Sequence, residues 1–295
     1  MNRDYRLPLL TRSMVICAVL TIAFLSILLG LPLARLMGID PSQLQGAGFS
    51  PTAKTLTLVV LFAAIQFVLV WLAMRFIHRK PYGGLGFKRP VLVPLLMGTG
   101  FGMVMQATEY LAQHAAGARA AITTSVPADV SLAVIAGYFL LNVLFLLTLN
   151  SLKEEIVYRT YPIEQYNDRP KLMIPVIVGV SLVFAAVHHI LLPFAWDAFV
   201  SRFTIALLLS FSYYHWRSIW LIAGIHNGLN LLEYLTSGNY KMGGLLKLTM
   251  ADTLAPSSMI AVDLAIAALF IAILAFIWNK EKQSGRLFFK VEHPA

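Results

Sequence analysis

The sequence predicts an all-α fold, a polytopic transmembrane helical bundle of about eight spans with both termini cytoplasmic. Three observations carry that prediction. Apolar residues make up 58% of the 295 positions, against about 45–50% in ordinary soluble domains. Charged residues fall to 13%, roughly half the usual share. Mean hydropathy is +0.74, and apolar stretches of about 20 residues, the length that crosses a bilayer, recur along the whole chain. A soluble enzyme, a secreted disulfide scaffold and a disordered tail are excluded on these grounds.

The first span is Ser13–Leu33. Arg3, Arg6 and Arg12 precede it in the manner of a signal peptide. Its apolar run exceeds the usual signal core of about 7–15 residues, so it reads as an uncleaved span. Thr55–Ile77 and Val91–Ala112 follow, separated by the Pro/Gly-rich joint Lys80–Gly86; Gly38–Pro51 is the loop before them. Then come Val130–Asn150, Leu172–Leu192, a short Phe199–Tyr214 with Arg202 near its start, Ser218–Leu235 and Ser257–Trp278. No repeat interrupts the series, so residues 1–295 read as one integral membrane domain. Cys17 reads as a buried filler thiol. Trp71, Trp216, Trp220 and Trp278 read as interfacial belt residues, Glu109 and His114 as interfacial, and the methionines as apolar packing.

Basic residues in short loops set orientation. With the N-terminus in the cytoplasm, 17 of the 23 Lys and Arg side chains fall in cytoplasmic segments or at their edges. The net charge of +9 is therefore mainly positive-inside bias toward anionic headgroups, and no nucleic-acid partner is expected. The expected location is a cytoplasmic (inner) membrane of bacterial type.

Ionisable groups within spans are the informative ones, because each needs a partner or a role. Three clusters qualify: Glu154-Glu155-Ile156-Val157-Tyr158-Arg159, then Phe184 with His188-His189, then His226-Asn227-Gly228-Leu229-Asn230. Spacing by four lets Glu155 pair with Arg159, Phe184 share a face with His188, and His226 stack with Asn230. Glu154 projects about 100° away from Glu155 and is free to face a cavity. Each cluster alone also fits an ordinary structural role, as an interfacial ion pair or as glue between helices.

In order, the clusters resemble the CAAX-protease and bacteriocin-processing (Abi) family of intramembrane endopeptidases. Its pattern is Glu-Glu-x-x-x-Arg, then Phe-x-x-x-His, then His-x-x-x-Asn or Asp. The run Arg217-Ser218-Ile219-Trp220 resembles the Arg/Thr-Gly-Ser-Leu-Trp lead-in of that family, without its glycine. The resemblance covers residues 130–235, the expected catalytic core. It implies hydrolysis of a peptide bond in a membrane-associated protein or peptide. Glu154 would activate water, His188 would hold or deprotonate it, and His226 and Asn230 would stabilise the oxyanion. Glu155 and Arg159 would orient the site.

That assignment is chemically coherent. A desolvated carboxylate is a competent general base, and preorganised N–H donors lower the barrier to amide attack. Two His and one Glu would also make a catalytic zinc set, although the helix-borne His-Glu-x-x-His motif is absent. No cofactor is favoured, and zinc stays open. A proton-coupled transporter using the same groups as a relay, or a non-catalytic immunity or scaffold protein, are the alternatives. The span edges raise one difficulty: they set Glu154 near the inner face and His188 about 24 Å along span 5. The two meet only if span 4 carries Glu154 deeper, with an inward-opening cavity hydrating both.

Overall fold

The computed structural model describes residues 7–40, 51–124, 126–127, 129–143, 148–189, 194–251 and 254–285. It is a helical bundle. The long helices are α1 (Leu9–Leu36), α2 (Ala53–Leu72, running on as a π turn Ala73–Ile77) and α3 (Leu92–Ala115). In the middle of the chain lie α4 (Leu132–Leu141) and then α5 (Thr148–Glu155), which runs through a π turn (Ile156–Thr160) into the short α6 (Tyr161–Gln165). Then follow α7 (Met173–His188), α8 (Trp196–Trp216), α9 (Ile219–Leu235) and α10 (Pro256–Ser284). Four of these stretches, Leu9–Leu36, Ala53–Ile77, Pro170–His188 and Pro256–Ser284, are long and apolar enough to cross a membrane.

The burial pattern is that of a protein solvated by lipid. Leu10, Met14, Leu29, Val68, Phe76 and Phe276 are exposed on the outer helices. Glu155, Arg159, Thr160, Gln165 and Ser210 are fully buried. In a soluble protein such wide apolar exposure would mark a docking surface; on helices of this length it matches an acyl-chain environment.

The centre of the bundle is the crossing of α3 and α9. Each helix carries a Gly-x-x-x-Gly pair, Gly98/Gly102 and Gly224/Gly228. A Cβ at Gly224 would lie 2.3 Å from the Leu95 carbonyl oxygen, and one at Gly102 would lie 2.1 Å from that of Ile225. The backbones touch because no side chain stands between them. In lipid, where burial of apolar surface drives little helix association, such close packing is a main adhesive. His226 lies two residues from each glycine of α9, about 200° around the helix, and so faces away from α3.

The C-terminal end of α8 is held by Arg217, which takes the left-handed conformation (φ 49°) and ends the helix. Its Nη1 donates to Glu164 at 2.9 Å and its Nη2 to Asn167 at 2.7 Å. Ser218 then caps α9 by accepting from the Leu221 N–H. Arg217 thus fills the backbone position before Ser218 where the lead-in pattern has glycine. Two ionic and polar contacts offset the strain that a side chain incurs there.

The structure corrects several sequence expectations. A two-stranded antiparallel sheet pairs β1 (Arg119–Thr124) with β2 (Leu246–Ala251), so the fold is not purely helical. Its strands lie far apart in sequence, and short-range patterning does not reveal such pairs. The helix bearing the two glutamates runs past the predicted span end at Asn150 to Gln165, and residues 144–147 of that span lie outside the described residues. The sixth runs Trp196–Trp216, longer than predicted. Cys17 is exposed on α1 instead of buried. Trp216 is wholly buried and donates from Nε1 to Glu281 at 2.6 Å, tying α8 to α10. Most of the Gly38–Pro51 loop, the last residues of the predicted fifth span and the tail after residue 285 lie outside the described residues.

The α3–α9 contact has a direct test. Gly224→Leu drives a side chain into the Leu95 carbonyl, and overpacking of this kind destabilises by about 1–3 kcal/mol. Gly137→Leu, where nothing lies within 4 Å, serves as the matched control. Thermal unfolding in detergent is expected to show a clear drop in Tm for the first and little change for the second.

Candidate active site

The three sequence clusters converge on α5, α7 and α9. Asn150 donates from Nδ2 to Glu154 Oε1 at 3.0 Å, one turn earlier on the same helix. The other oxygen of Glu154 stands 3.8 Å from His226 Nε2. Glu155 Oε1 accepts twice, from Arg159 Nη1 at 2.9 Å and from His226 Nδ1 at 2.7 Å. A carboxylate paired with Arg can only accept, so the proton of that second bond belongs to His226 Nδ1. The Nε2 edge of the ring is thereby turned to Glu154.

The π turn Ile156–Thr160 follows Glu155 directly. Such turns often mark functional sites, because the widened backbone re-aims the side chains around it. Both glutamates here reach His226, whereas an ideal helix separates their directions. Arg159 is fully buried and lies over the Phe184 ring, 3.7 Å from its centroid. The same ring packs against His188 with centroids 4.4 Å apart. His188 ends α7, and its Nδ1 bonds the Phe184 carbonyl at 2.8 Å. A carbonyl only accepts, so Nδ1 carries the proton and Nε2 keeps its lone pair. Glu154 and His188 are near enough to feel each other's charge.

The helix that bears Glu154 also runs deeper than the predicted span edge. α5, its π turn and α6 carry the chain eleven residues beyond Glu154, which sets that side chain well inside the bundle. A cavity of about 450 Å³ does open at the end of the bundle that holds Arg12, His78 and Glu164. Its lining does not include Glu154 or His188. At that end burial, with Lys80 and Arg12 nearby, holds the His78 imidazole down at about 4.

Five of the six predicted site residues, Glu154, Glu155, Arg159, His188 and His226, form one connected group. Asn230 sits one helical turn beyond His226, half-buried. The neighbouring Asn227, which sequence reasoning passed over, donates instead to Thr148 Oγ1 of α5 at 3.2 Å. Asn150 was also missed, although its spacing of four before Glu154 marked it as a helical neighbour. Among the described residues no three His, Cys, Asp or Glu side chains are disposed to hold a metal ion. Also among them, Glu155 Oε2, Arg159 Nη2 and the Tyr158 hydroxyl are buried without a hydrogen-bond partner.

The two glutamates of α5 thus stand against a histidine of α9, and Arg159 and Phe184 join them to a histidine of α7. Residues 136–232 match the model of the Rce1-like family, described as type II CAAX prenyl endopeptidase Rce1-like. The match spans all three motifs and bears out the resemblance they carry. No curated protein and no solved structure matches the chain.

Glu155 is the most heavily engaged side chain of the group. Glu155→Gln leaves Arg159 buried without its countercharge, and breaking a buried pair in this way destabilises by about 3–5 kcal/mol. Denaturant or thermal unfolding in detergent should place this variant well below both wild type and Arg217→Lys, whose ion pair is partly exposed.

Proposed function

We propose that the protein is an intramembrane endopeptidase in which Glu154 activates a water for attack on a peptide bond. The observation that carries the reading is that Glu154 and Glu155 of α5 stand against His226 of α9, with His188 of α7 joined to them through Arg159 and Phe184. Glu154 takes the proton from water as general base. His188, with its Nε2 lone pair directed by the Nδ1 bond to Phe184, holds that water. Asn230, one turn beyond His226 on α9, offers its amide N–H to the oxygen of the tetrahedral intermediate, and His226, whose Nδ1–H is held by Glu155, offers Nε2–H there as the imidazolium. Glu155 and Arg159 fix the ring of His226 and the end of α7. Glu154 then returns the proton to the leaving amine.

The proposal is metal-independent; zinc held by the same side chains is the competing chemistry. It also includes eight membrane crossings with both termini cytoplasmic, in a bacterial-type inner membrane, and a membrane-associated protein or peptide as substrate. The motif match to a CAAX endopeptidase supports the substrate class.

The test compares membrane peptides released in cells carrying wild type or Glu154→Gln. The variant is expected to fold, with unchanged Tm within a few degrees, and to release none of the products. His188→Ala should lower turnover by about 10²–10⁴-fold, the range for a lost acid–base group. An unchanged peptide pattern in folded Glu154→Gln refutes the mechanism, and loss of an ion flux in its place supports the transporter alternative. Inactivation of purified protein by chelators, reversed by zinc, overturns the metal-independent form.

A further inference from the structure

We infer that the β1–β2 ribbon lies flat in the headgroup layer of the bilayer, its apolar face against the acyl-chain boundary and its basic face toward anionic headgroups. The inference rests on the membrane character of the bundle and not on the endopeptidase reading. In a strand successive side chains point to opposite faces, and residues paired across an antiparallel ribbon share a face. The register pairs Ile122 with Leu248, Thr124 with Leu246 and Thr123 with Lys247. Ala120, Ile122, Thr124, Leu246 and Leu248 therefore share one face. Arg119, Ala121, Thr123, Lys247 and Thr249 share the other. Every side chain of β1 is exposed; Ile122 is 66% exposed and Leu246 41%. Among the described residues, then, the bundle covers neither face of β1, and one of the two is apolar.

The ribbon stands at the end of the bundle where a membrane surface falls. β1 begins at Arg119, just after α3 ends at Ala115, and β2 leads into α10, which starts at Pro256. Tyr110 of α3 meets Thr236 just past α9 at this end. Trp216 with Glu281 and Arg217 with Glu164 mark the opposite end. Leu111 in the last turns of α3 and Leu264 of α10 are exposed, as on the other lipid-facing helices. The apolar face of the ribbon continues that surface. Phe194 and Trp196, at the start of α8, stand at the same end with ring centroids 4.8 Å apart, and Trp196 is 65% exposed. Exposed aromatic rings collect at membrane interfaces.

Three constraints select the occupant. A two-stranded ribbon is at best marginally stable in water, so covering its apolar face stabilises it. The hydrocarbon core is closed to it. Among the described residues β1 is paired along one edge only, and in hydrocarbon the backbone groups of the other edge would go unsatisfied. The headgroup layer meets both conditions, since water reaches the edge while acyl chains reach Ile122. Arg119 and Lys247 on the other face then complement the charge of anionic lipids, the disposition of amphipathic segments that lie in the interface.

The test uses full-length protein in phosphatidylcholine vesicles, with and without phosphatidylglycerol. Cys17 is the single cysteine of the chain, so Cys17→Ala provides a background in which Ile122→Cys or Thr123→Cys carries an environment-sensitive nitrobenzoxadiazole label. Both positions are exposed, and they lie on opposite faces. Closure of an intrachain disulfide in Ile122→Cys/Leu248→Cys checks that the ribbon is formed. The label at 122 is expected to be blue-shifted, quenched by lipids bearing a nitroxide at headgroup level and shielded from aqueous iodide. The label at 123 should show the reverse. Phosphatidylglycerol should increase the shielding at 122. Arg119→Gln/Lys247→Gln should cancel that gain, about fivefold in the ratio of shielded to open label for each cation lost. Equal iodide quenching at both positions, with none by lipid nitroxides, overturns the inference and leaves the ribbon in water. Quenching of both labels by nitroxides at the bilayer centre also overturns it. Self-quenching between labelled copies that excess lipid relieves, without quenching by lipid nitroxides, replaces the bilayer with a second copy of the chain. A phosphatidylglycerol effect that survives in Arg119→Gln/Lys247→Gln overturns the headgroup contact. None of these readouts depends on cleavage of a substrate, so the endopeptidase reading stands or falls separately.

Discussion

A carboxylate in the interior of a membrane bundle must be paired, and the pairing of Glu155 organises the rest. Its Oε1 receives Arg159 from its own helix and His226 from α9. Arg159 in turn lies on Phe184, and Phe184 against His188 of α7. One buried oxygen thus draws three separate segments to a single point. In low dielectric the isolated charges would be far costlier than in water. Helix positions that leave Glu155 alone are therefore strongly disfavoured, and the candidate site is assembled by the same condition that makes the bundle hold together.

The α3–α9 crossing supplies the rigid side of that arrangement. Glycines on both helices bring backbones into contact, which leaves α9 little freedom to slide or rotate. The face of α9 opposite the glycines is the one that presents His226 to the glutamates. A shift of two residues along α9, about 200°, would turn glycine into the site and His226 toward α3. Packing and chemistry are in this way two faces of the same helix. The end of the bundle at which α8 stops is secured separately, through Arg217, Glu164 and Tyr213, whose hydroxyl donates to Glu164 at 2.8 Å.

Much of the site was legible in the sequence because helical spacing is local. Glu155 with Arg159, and Phe184 with His188, lie four residues apart, and four residues make about one turn whatever the tertiary context. The π turn after Glu155 was not legible. Its residues, Ile156 to Thr160, differ little from an ordinary helical run, and the widening is stabilised by what the helix meets. Trp216 and Cys17 were misread for a related reason. Each lies in an apolar stretch, and only the neighbouring helices determine whether its side chain faces lipid or the α10 carboxylate at Glu281. The β1–β2 pairing escaped because its partners are more than a hundred residues apart.

The sequence by itself determined the membrane character, the order of the three motifs and the pairs four residues apart, since hydropathy and helical period act over single segments. The tertiary structure alone decided that Glu154 and Glu155 stand against His226, that Arg159 and Phe184 join them to His188, and that α9 backs onto α3 through glycine. Those outcomes depend on where separate helices meet in depth and rotation. That geometry is set by packing and by the pairing of buried charge, and neither is written into any one segment.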